Sequence, residues 1–423
     1  MATIAALVAR VLGDAAERLP VAIEAYDGSR LGPADAPATI VVRSPDALVR
    51  LAHAPSELGL GRAYVTGDLD VQGDIFAALE LRDALPMVRI GARHAIGLAR
   101  LAGVRVLRPL PPPSEEARLH GRRHSKARDA AAIAHHYDVS NDFYRLVLGP
   151  SLTYSCAVWT DGTTTLEDAQ ANKHELICSK LGLEPGMRLL DIGCGWGGML
   201  LHAAREHGVR AVGVTVSRAQ AELAAKRVAD AGLGDRVEVR LQDYRDVDDG
   251  PYEAVSSIGM FEHVGLSRLA TYFSTCFELL APEGRLLNHG ISRPAHGRTR
   301  RRTRRRTPPH PDRFIDRYVF PDGELHELGV VVSAIQHAGF EARHVESLRE
   351  HYARTLRCWV QNLERDWADA VCEVGERRAR VWRLYMAASA VNFENDRTQV
   401  HQVLATKTEH GRSGLPLRPQ FVP

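Results

Sequence analysis

One glycine-rich stretch, residues 189–198, constrains the fold of this chain more than any other. It reads LLDIGCGWGG. Residues 187–192 are almost continuously apolar, as in a strand buried on both faces, and residues 199–204 have the pattern of a helix. Glycines suit a tight turn from strand to helix because they tolerate positive φ and let a ligand approach the backbone closely. The stretch therefore predicts a nucleotide-binding turn in an α/β fold.

Three interpretations of this turn compete. The pattern G-x-G-x-x-G, which begins at Gly193, is typical of a dinucleotide site with the pyrophosphate at the helix N-terminus. Such a site also needs an acidic residue about 20 residues later, whereas the second predicted strand ends near Thr215 with no carboxylate before Glu222. A purely structural turn is a second alternative. Residues 191–197 also resemble D-x-G-x-G-x-G, the first motif of S-adenosylmethionine (SAM)-dependent methyltransferases, and we favour that interpretation.

Strands and helices alternate on both sides of the turn. A helix is predicted before it, over 165–181, and after it come strands over 211–216, 236–241, 253–257 and 285–289 with helices over 218–231 and 267–280. This alternation predicts a doubly wound, Rossmann-like parallel sheet whose ligand cleft lies at the carboxyl ends of the strands. The residues that fall at these ends are Asp191, Gly193, Thr215, Gln242, Asp243, Glu262 and His289.

Length and composition indicate more than one domain. The chain has 423 residues, and a single domain typically has about 100–200. Residues 1–108 alternate short helical and strand patterns and are predicted to form a small α/β domain. Prolines cluster at 109–113 and a charged stretch follows, so residues 109–128 are predicted to be a linker, because proline cannot continue a helix and the polar tract cannot bury itself. Residues 129–423 are then the catalytic domain.

Several classes of protein are disfavoured. The six cysteines lack C-x-x-C or Cys/His ligand spacing, so we expect neither a metal site nor a disulfide framework, and a reducing cytoplasm is the natural compartment. Charged residues interrupt the N-terminal apolar run, which therefore does not resemble a signal peptide. Since no apolar stretch reaches the ~18 residues that span a bilayer, we expect any membrane contact to be at the surface.

The net charge of +2 conceals an uneven distribution, because seven arginines lie at 298–306. A solvated loop is the simplest interpretation of this arginine tract. Attraction to anionic lipid is the functional alternative, at ~1 kcal/mol for each basic group near the surface. No aromatic residues are interleaved with the arginines, which disfavours nucleic acid as a partner.

Six further tracts accompany the glycine turn. They read HYDVSND at 136–142, LTYSCA at 152–157, GVTVS at 213–217, IGMFEH at 258–263, NHGI at 288–291 and HYARTL at 351–356. Taken together and in this order, they resemble the cyclopropane-fatty-acyl-phospholipid synthase family of SAM-dependent methyltransferases, over roughly residues 120–405. The N-terminal 110 residues resemble, less closely, the small domain of longer family members.

The resemblance implies a function. Family members transfer a methylene group from SAM to the cis double bond of an unsaturated phospholipid acyl chain, which forms a cyclopropane ring; a hydride shift before proton loss would instead give a methylene-branched chain. It also implies a cytoplasmic enzyme peripheral to the inner face of the membrane, and it leaves open a homodimer and a role of the N-terminal domain in lipid contact or dimerisation. A lipid-binding protein with a degenerate methyltransferase fold is the alternative, which an intact Glu262, His289 and Tyr352 disfavours.

The resemblance also assigns the site residues. Similar enzymes hold a bicarbonate ion as the catalytic base, at positions that correspond to Cys156, Glu262, His289, Ile291 and Tyr352. Ser389 stands where family members commonly have a cysteine, so only a backbone role would carry over there. The positions that bind SAM correspond to Tyr154, Ser155, Asp191, Gly193, Gly195, Gly197, Thr215, Ser217, Gln220, Asp243 and Tyr244. Of these, Asp191 has an equally good alternative role, in which it fixes the turn through backbone hydrogen bonds.

Overall fold

The structure, a computed structural model, describes residues 3–84, 103–117, 139–295 and 314–422, with a few scattered positions between 121 and 132. The strands in these residues are β1 Ala22–Ala25, β2 Arg30–Leu31, β3 Ala38–Val42, β4 Leu69–Gly73, β5 Arg188–Ile192, β6 Arg210–Thr215, β7 Val237–Leu241, β8 Tyr252–Ile258, β9 Leu280–Arg293, β10 His326–Glu327, β11 Glu341–Ser347 and β12 Gln399–Thr406. The arginine tract at 298–306 and the first part of the tract at 136–142 lie outside the described residues.

The helices are likewise given in chain order. They are α1 Ile4–Leu12, α2 Pro45–His53, α3 Glu57–Val65, α4 Ile75–Ala84, α5 Asn141–Leu148, α6 Leu166–Leu181, α7 Gly198–Glu206, α8 Arg218–Asp230, α9 Phe261–Val264, α10 Leu269–Leu279, α11 Phe314–Tyr318, α12 Leu328–His337, α13 Arg349–Arg365, α14 Trp367–Val374 and α15 Glu376–Glu394. Short 3₁₀ helices span Gly13–Arg18, Gly103–Leu107, Tyr244–Asp246 and Leu266–Arg268. None of these described helices is both long and apolar enough to cross a bilayer.

The described chain forms two compact units. The first draws on Met1–Arg118, Arg306–Pro321 and Trp367–Val391, and the second on Leu119–Arg305, Asp322–Asp366 and Asn392–Pro423. The sequence predicted one division of the chain, at the linker 109–128. In the structure, two later stretches of the predicted catalytic domain, Arg306–Pro321 and Trp367–Val391, belong to the first unit.

Buried contacts between distant residues explain how the first unit is assembled. Its sheet has the order β2-β1-β3-β4, with β1 parallel to β3 and the other pairs antiparallel. Glu116, from the predicted linker, is buried and accepts hydrogen bonds from Arg62 Nε at 2.6 Å and from the Tyr318 hydroxyl at 3.0 Å. Arg380 of α15 is also buried and donates to Asp70 of β4 at 3.1 Å. The side chains of α11 and α15 thus complete a unit that begins near the N-terminus.

The second unit contains an eight-stranded sheet. Seven strands follow the order β11-β12-β9-β8-β5-β6-β7, and β10 pairs with β9. Strands β9, β8, β5, β6 and β7 are parallel neighbours, as the alternation of elements predicted. Strands β12 and β11 extend one edge in the antiparallel sense, so the sheet is mixed rather than wholly parallel. Helices α13, α14 and α15 separate these two strands along the chain. The sequence there has no regular alternation of strand and helix patterns, so it did not predict β11 and β12.

Alternate residues of the central strands pack into cores on the two faces of the sheet. Leu190 and Val255 lie in one core, whereas Leu189 and Ala254 lie in the other. Fully burying one Leu or Val side chain contributes about 1.5–3 kcal/mol. Helices that cover both faces therefore hold the strands firmly, and the strand ends form a stable edge on which a site can be built.

The carboxyl end of β5 carries the predicted turn. Gly193, Gly195 and Gly197 have φ angles of 80°, 54° and 79°. The amide of Gly193 donates to the carbonyl of Val214 at 2.9 Å, which ties the turn to the end of β6. Helix α7 begins at Gly198. The predicted strand, turn and helix are confirmed.

Candidate active site

A cavity opens beside the glycine turn, at the carboxyl ends of β5, β6 and β8. Its volume is about 860 Å³, including the part that is open to solvent, which is within the range of small-molecule sites. Eight of the residues predicted to bind SAM line it: Tyr154, Ser155, Asp191, Gly193, Gly195, Thr215, Gln220 and Tyr244. This is the edge of the sheet where the alternation of strands predicted the ligand cleft.

The other three residues predicted to bind SAM support elements that carry the lining. Gly197 adopts positive φ at the start of α7. The Ser217 hydroxyl accepts a hydrogen bond from the Gln220 amide at 3.3 Å and thereby caps α8. Asp243 accepts from Arg245 Nε at 2.7 Å and from its Nη2 at 2.6 Å. These contacts give the three residues structural roles in the turns that follow β5, β6 and β7.

The lining fits a cofactor with an adenosyl group and an amino-acid end. Gly195 leaves open space where a Cβ atom would point, so a ligand can approach the backbone there. The Tyr244 ring is buried, packs edge-on against Tyr272 with ring centres 4.9 Å apart, and offers a flat apolar surface at the cavity. Thr215 donates its hydroxyl to Gln220 Oε1 at 2.9 Å, which orders two polar side chains at the end of β6.

Asp191 bonds to a neighbouring side chain. The Ser256 hydroxyl of β8 donates to Asp191 Oδ1 at 2.6 Å, which joins the ends of two strands beneath the turn. Burial raises the pKa of Asp191 to about 6. Lys173 of α6, which is also buried at the cavity, donates to the Ser155 hydroxyl at 3.2 Å, and burial lowers its pKa to about 7. The sequence analysis missed Lys173, although it falls with Lys180 on the apolar stripe of the helix predicted over 165–181.

A buried acid and a buried imidazole stand on adjacent elements, α9 and β9. Glu262 Oε1 accepts a hydrogen bond from the Ile291 amide at 2.6 Å, whereas Glu262 Oε2 and His289 Nε2 have no partner among the described residues. His289 and Ile291 are two apart on β9, so their side chains point to the same face. Burial raises the pKa of Glu262 to about 7 and lowers that of His289 to about 3.

The remaining predicted bicarbonate ligands of the second unit meet at the start of α13. The Cys156 thiol lies 3.2 Å from the Ala157 carbonyl and 3.6 Å from the Leu348 carbonyl, and the Tyr352 amide donates to the Leu348 carbonyl at 3.1 Å. The Leu348 amide in turn donates to Val400 of β12, the strand next to β9, at 2.9 Å. Burial raises the pKa of the Cys156 thiol, so it is uncharged near neutral pH. Ser389 lies on α15, in the stretch that belongs to the first unit, and its role stays a prediction.

Two side chains, Gln402 and Lys180, fix the tautomer of His289. Lys180 Nζ, a donor only, donates to Gln402 Oε1 at 2.6 Å and also bonds to Glu346. Because the Gln402 oxygen is engaged, its Nε2 faces His289 Nδ1, at 3.2 Å. The amide nitrogen can only donate, so His289 Nδ1 accepts and the ring proton is on Nε2. His289 thus presents an N–H donor, and the sequence analysis did not identify Lys180 or Gln402 as the cause.

The fold, the glycine turn and the cavity define a SAM-dependent methyltransferase. Residues 124–403 match the protein family described as mycolic acid cyclopropane synthetase, and the chain belongs to this family. A probable fatty acid methyltransferase of Mycobacterium tuberculosis is 48% identical over 96% of this chain and 95% of the relative. The cyclopropane-fatty-acyl-phospholipid synthase of Escherichia coli K12 is 34% identical over 88% of each.

A solved structure supports the same class. The mycolic acid cyclopropane synthase CmaA1 complexed with SAH and CTAB is 34% identical, with a TM-score of 0.61 over 66% of this chain and 98% of that chain. The family predicted from the sequence tracts, the methyltransferase fold and the use of SAM are confirmed.

Proposed function

We propose that this enzyme adds a methylene group from SAM across the cis double bond of an unsaturated phospholipid acyl chain and forms a cyclopropane ring. One observation carries the proposal: Glu262 Oε2 and His289 Nε2 are buried without a hydrogen-bond partner among the described residues. Glu262 lies on the helix that follows β8, and His289 lies on β9, the strand that pairs with β8. Membership of a cyclopropane synthetase family, and relatives named for cyclopropane formation on phospholipid or mycolic acid, support the same reaction.

The chemistry needs a dry and well-aligned site. An alkene is a poor nucleophile, so it must be aligned with the methyl group that SAM supplies on its sulfonium. After methyl transfer the acyl chain carries a positive charge and must lose a proton from the new methyl group before water captures the cation. Cys156, Glu262, His289 and Tyr352 are all buried, which suits a step that must exclude water.

We propose that these residues hold a bicarbonate ion, which supplies a base that does not itself become methylated. The His289 Nε2–H and the Tyr352 hydroxyl donate to its oxygens, and the Glu262 carboxylate accepts from its O–H. The Ile291 amide orients Glu262, to which it is already hydrogen-bonded at 2.6 Å. Among the described residues, the unpaired acceptor Glu262 Oε2 and the unpaired donor His289 Nε2–H suit an ion that both donates and accepts hydrogen bonds.

Lipid analysis tests the reaction. In cells that express the protein, unsaturated phospholipid acyl chains should gain one CH₂ group, and the product should resist hydrogenation under conditions that saturate alkenes. A product that gains CH₂ but still takes up hydrogen would mean a methylene branch, the second candidate, which uses the same cofactor and base. If no acyl chain gained mass although the purified protein binds SAM, the proposed enzymatic reaction would be refuted, and a lipid-binding protein would be the better interpretation.

Two substitutions test the base site. His289→Ala and Tyr352→Phe should each slow turnover while SAM affinity is retained; for His289 the scale is about 100- to 1,000-fold, the cost of losing one well-aimed donor to an oxyanion. Bicarbonate depletion should slow the wild type and hardly affect either variant. Full activity and unchanged bicarbonate dependence in both variants would refute the base site, even if the protein remained a methyltransferase.

We also propose that the arginine tract at 298–306 attracts the enzyme to anionic membrane surfaces, an inference that rests on its seven arginines alone. Replacing all seven with serine should weaken co-sedimentation with anionic vesicles and leave SAM affinity unchanged. Because surface charge is screened over ~8 Å at physiological salt, wild-type binding should also fall as salt rises. If vesicle binding changed neither with the serine replacements nor with salt, the tract would have no role in membrane attraction.

A further inference from the structure

A group of metal-ligating side chains lies between α6 and α7, and the proposed reaction makes no use of it. Cys178 is on α6, His202 is on α7, and His207 follows α7. Their ligand atoms all lie within 4.8 Å of one another. Glu175, one turn before Cys178, places Oε2 at 3.1 Å from His202 Nε2 and 3.0 Å from His207 Nε2.

The residue types and their spacing are those of a zinc site. Zinc is bound by thiolate, imidazole and carboxylate with bonds of about 2.0–2.3 Å, so its ligand atoms lie about 3.3–3.7 Å apart in a tetrahedron. Separations of up to 4.8 Å leave about 1 Å to close, which rotation of three side chains can supply. A thiol with two imidazoles also selects against Mg²⁺ and Ca²⁺, which prefer oxygen ligands.

We propose that Cys178, His202 and His207 bind one zinc-class divalent cation, with the Glu175 carboxylate balancing its charge. The thiol is buried, and the side chains of His202 and His207 are 17% and 20% exposed, so a cation can enter from the solvent side and leave water behind. Binding must release the thiol proton, because thiolate is the metal ligand. The inference does not depend on the proposed reaction.

A bound cation would connect two elements that also border the SAM cavity. His174, on the same helix as Cys178, lines that cavity, and its ring centre is 5.5 Å from that of His202. Gly198 and Met199, at the start of α7, line the cavity as well. A cation that holds α6 against α7 therefore stabilises the folded enzyme by mass action, because it binds the folded state and not the dispersed ligands of the unfolded chain.

Cobalt provides a direct test, because a Co²⁺–thiolate bond gives a near-ultraviolet charge-transfer band. Full-length protein is freed of metal with a chelator and titrated with Co²⁺ and with Zn²⁺. Cys372 is exposed, so Cys372→Ser is included in every variant to remove adventitious binding. One equivalent of Co²⁺ should produce the band, Zn²⁺ should abolish it, and Zn²⁺ but not Mg²⁺ should raise the melting temperature.

Two variants decide the assignment. Cys178→Ala should lose the band and the Zn²⁺-dependent rise in melting temperature while retaining SAM binding, which reports that it is folded. Cys276→Ala, at another buried cysteine outside the group, should keep both signals. His207→Ala should weaken Co²⁺ binding by about 10-fold or more. A band that persists in Cys178→Ala, or no stoichiometric binding by the parent protein, overturns the proposal.

Discussion

The position of one proton on His289 decides which kind of group its ring can bind. Gln402 Nε2 faces His289 Nδ1 because Lys180 engages the Gln402 oxygen at 2.6 Å. The proton therefore lies on Nε2, which has no partner among the described residues, and this N–H favours an oxygen of an anion. Neither Lys180 nor Gln402 needs to touch the ion to have this effect, so we assign them as positioning residues.

Gln402→Glu should reverse that arrangement. A carboxylate can only accept, so it would draw a proton to His289 Nδ1 and take the Lys180 ammonium as its partner. We expect turnover to fall by about 10- to 100-fold, the usual effect of losing such an orienting partner, and the ¹⁵N shift of His289 Nδ1 to move from unprotonated to protonated. Gln399→Glu, on the same strand, is the control and should change neither. An unchanged ¹⁵N spectrum of His289 in Gln402→Glu would show that Gln402 does not set the tautomer of His289.

The buried acid Glu262 should make stability depend on pH. Its pKa is raised from 4.5 to about 7 by burial, so between these values the folded protein keeps a proton that the unfolded chain has lost. Stability therefore falls as pH rises through this window, by about 3 kcal/mol in total. Asp191, whose pKa burial raises from 3.8 to about 6, acts in the same direction.

Glu262→Gln should remove this penalty. In urea unfolding the variant should be more stable than the wild type at about pH 8, and the gain should shrink toward about pH 3.5, where the wild-type acid is largely protonated in both states. Its turnover should nevertheless fall, because the proposed ion loses an acceptor. A stability difference that is the same at both pH values would show that Glu262 does not titrate as described.

At the scale of elements, the turn between β5 and α7 sets the cofactor site. Gly195 has a φ of 54° and open space where a side chain would point. Gly195→Asp should abolish SAM binding, because a carboxylate would enter the cavity. Gly232→Asp is a matched control, since Gly232 has a φ of 66° and the same open space but lies after α8, outside the cavity. Calorimetry that finds wild-type SAM affinity in folded Gly195→Asp would contradict the cavity assignment.

At the scale of the whole molecule, the first unit depends on contacts between separate stretches of sequence. Glu116→Ala removes the acceptor shared by Arg62 and Tyr318, and a hydrogen bond to a charged group contributes about 1.5–3 kcal/mol. Hydrogen exchange should therefore speed up in α3 and α11 and stay unchanged in β5 and β6. Glu57→Ala, at an exposed acid on α3, should have little effect. Faster exchange throughout the second unit as well would show that the two units do not respond separately.

The sequence by itself determined the strand, turn and helix around residues 189–198, the parallel centre of the sheet and the strand-end part of the cavity lining, namely Asp191, Gly193, Thr215 and Gln242. These features follow from local rules: apolar periodicity selects strand or helix, glycine permits the positive φ of the turn, and parallel strands bring their carboxyl ends to one edge. The tracts that resemble the cyclopropane synthase family added the other candidate SAM-binding residues and the candidate base site, which no local rule could assign.

Only the tertiary structure decided the antiparallel strands β11 and β12, the return of α11, α14 and most of α15 to the first unit, and the tautomer of His289. It also brought Cys178 close to His202 and His207, although their spacing in the sequence is not that of a metal site. Each of these outcomes depends on partners far apart in the chain; Lys180 and Gln402, for example, are 222 residues apart. Periodicity reports which face of an element is buried, but the partner that a buried polar group finds there is chosen only when the elements pack.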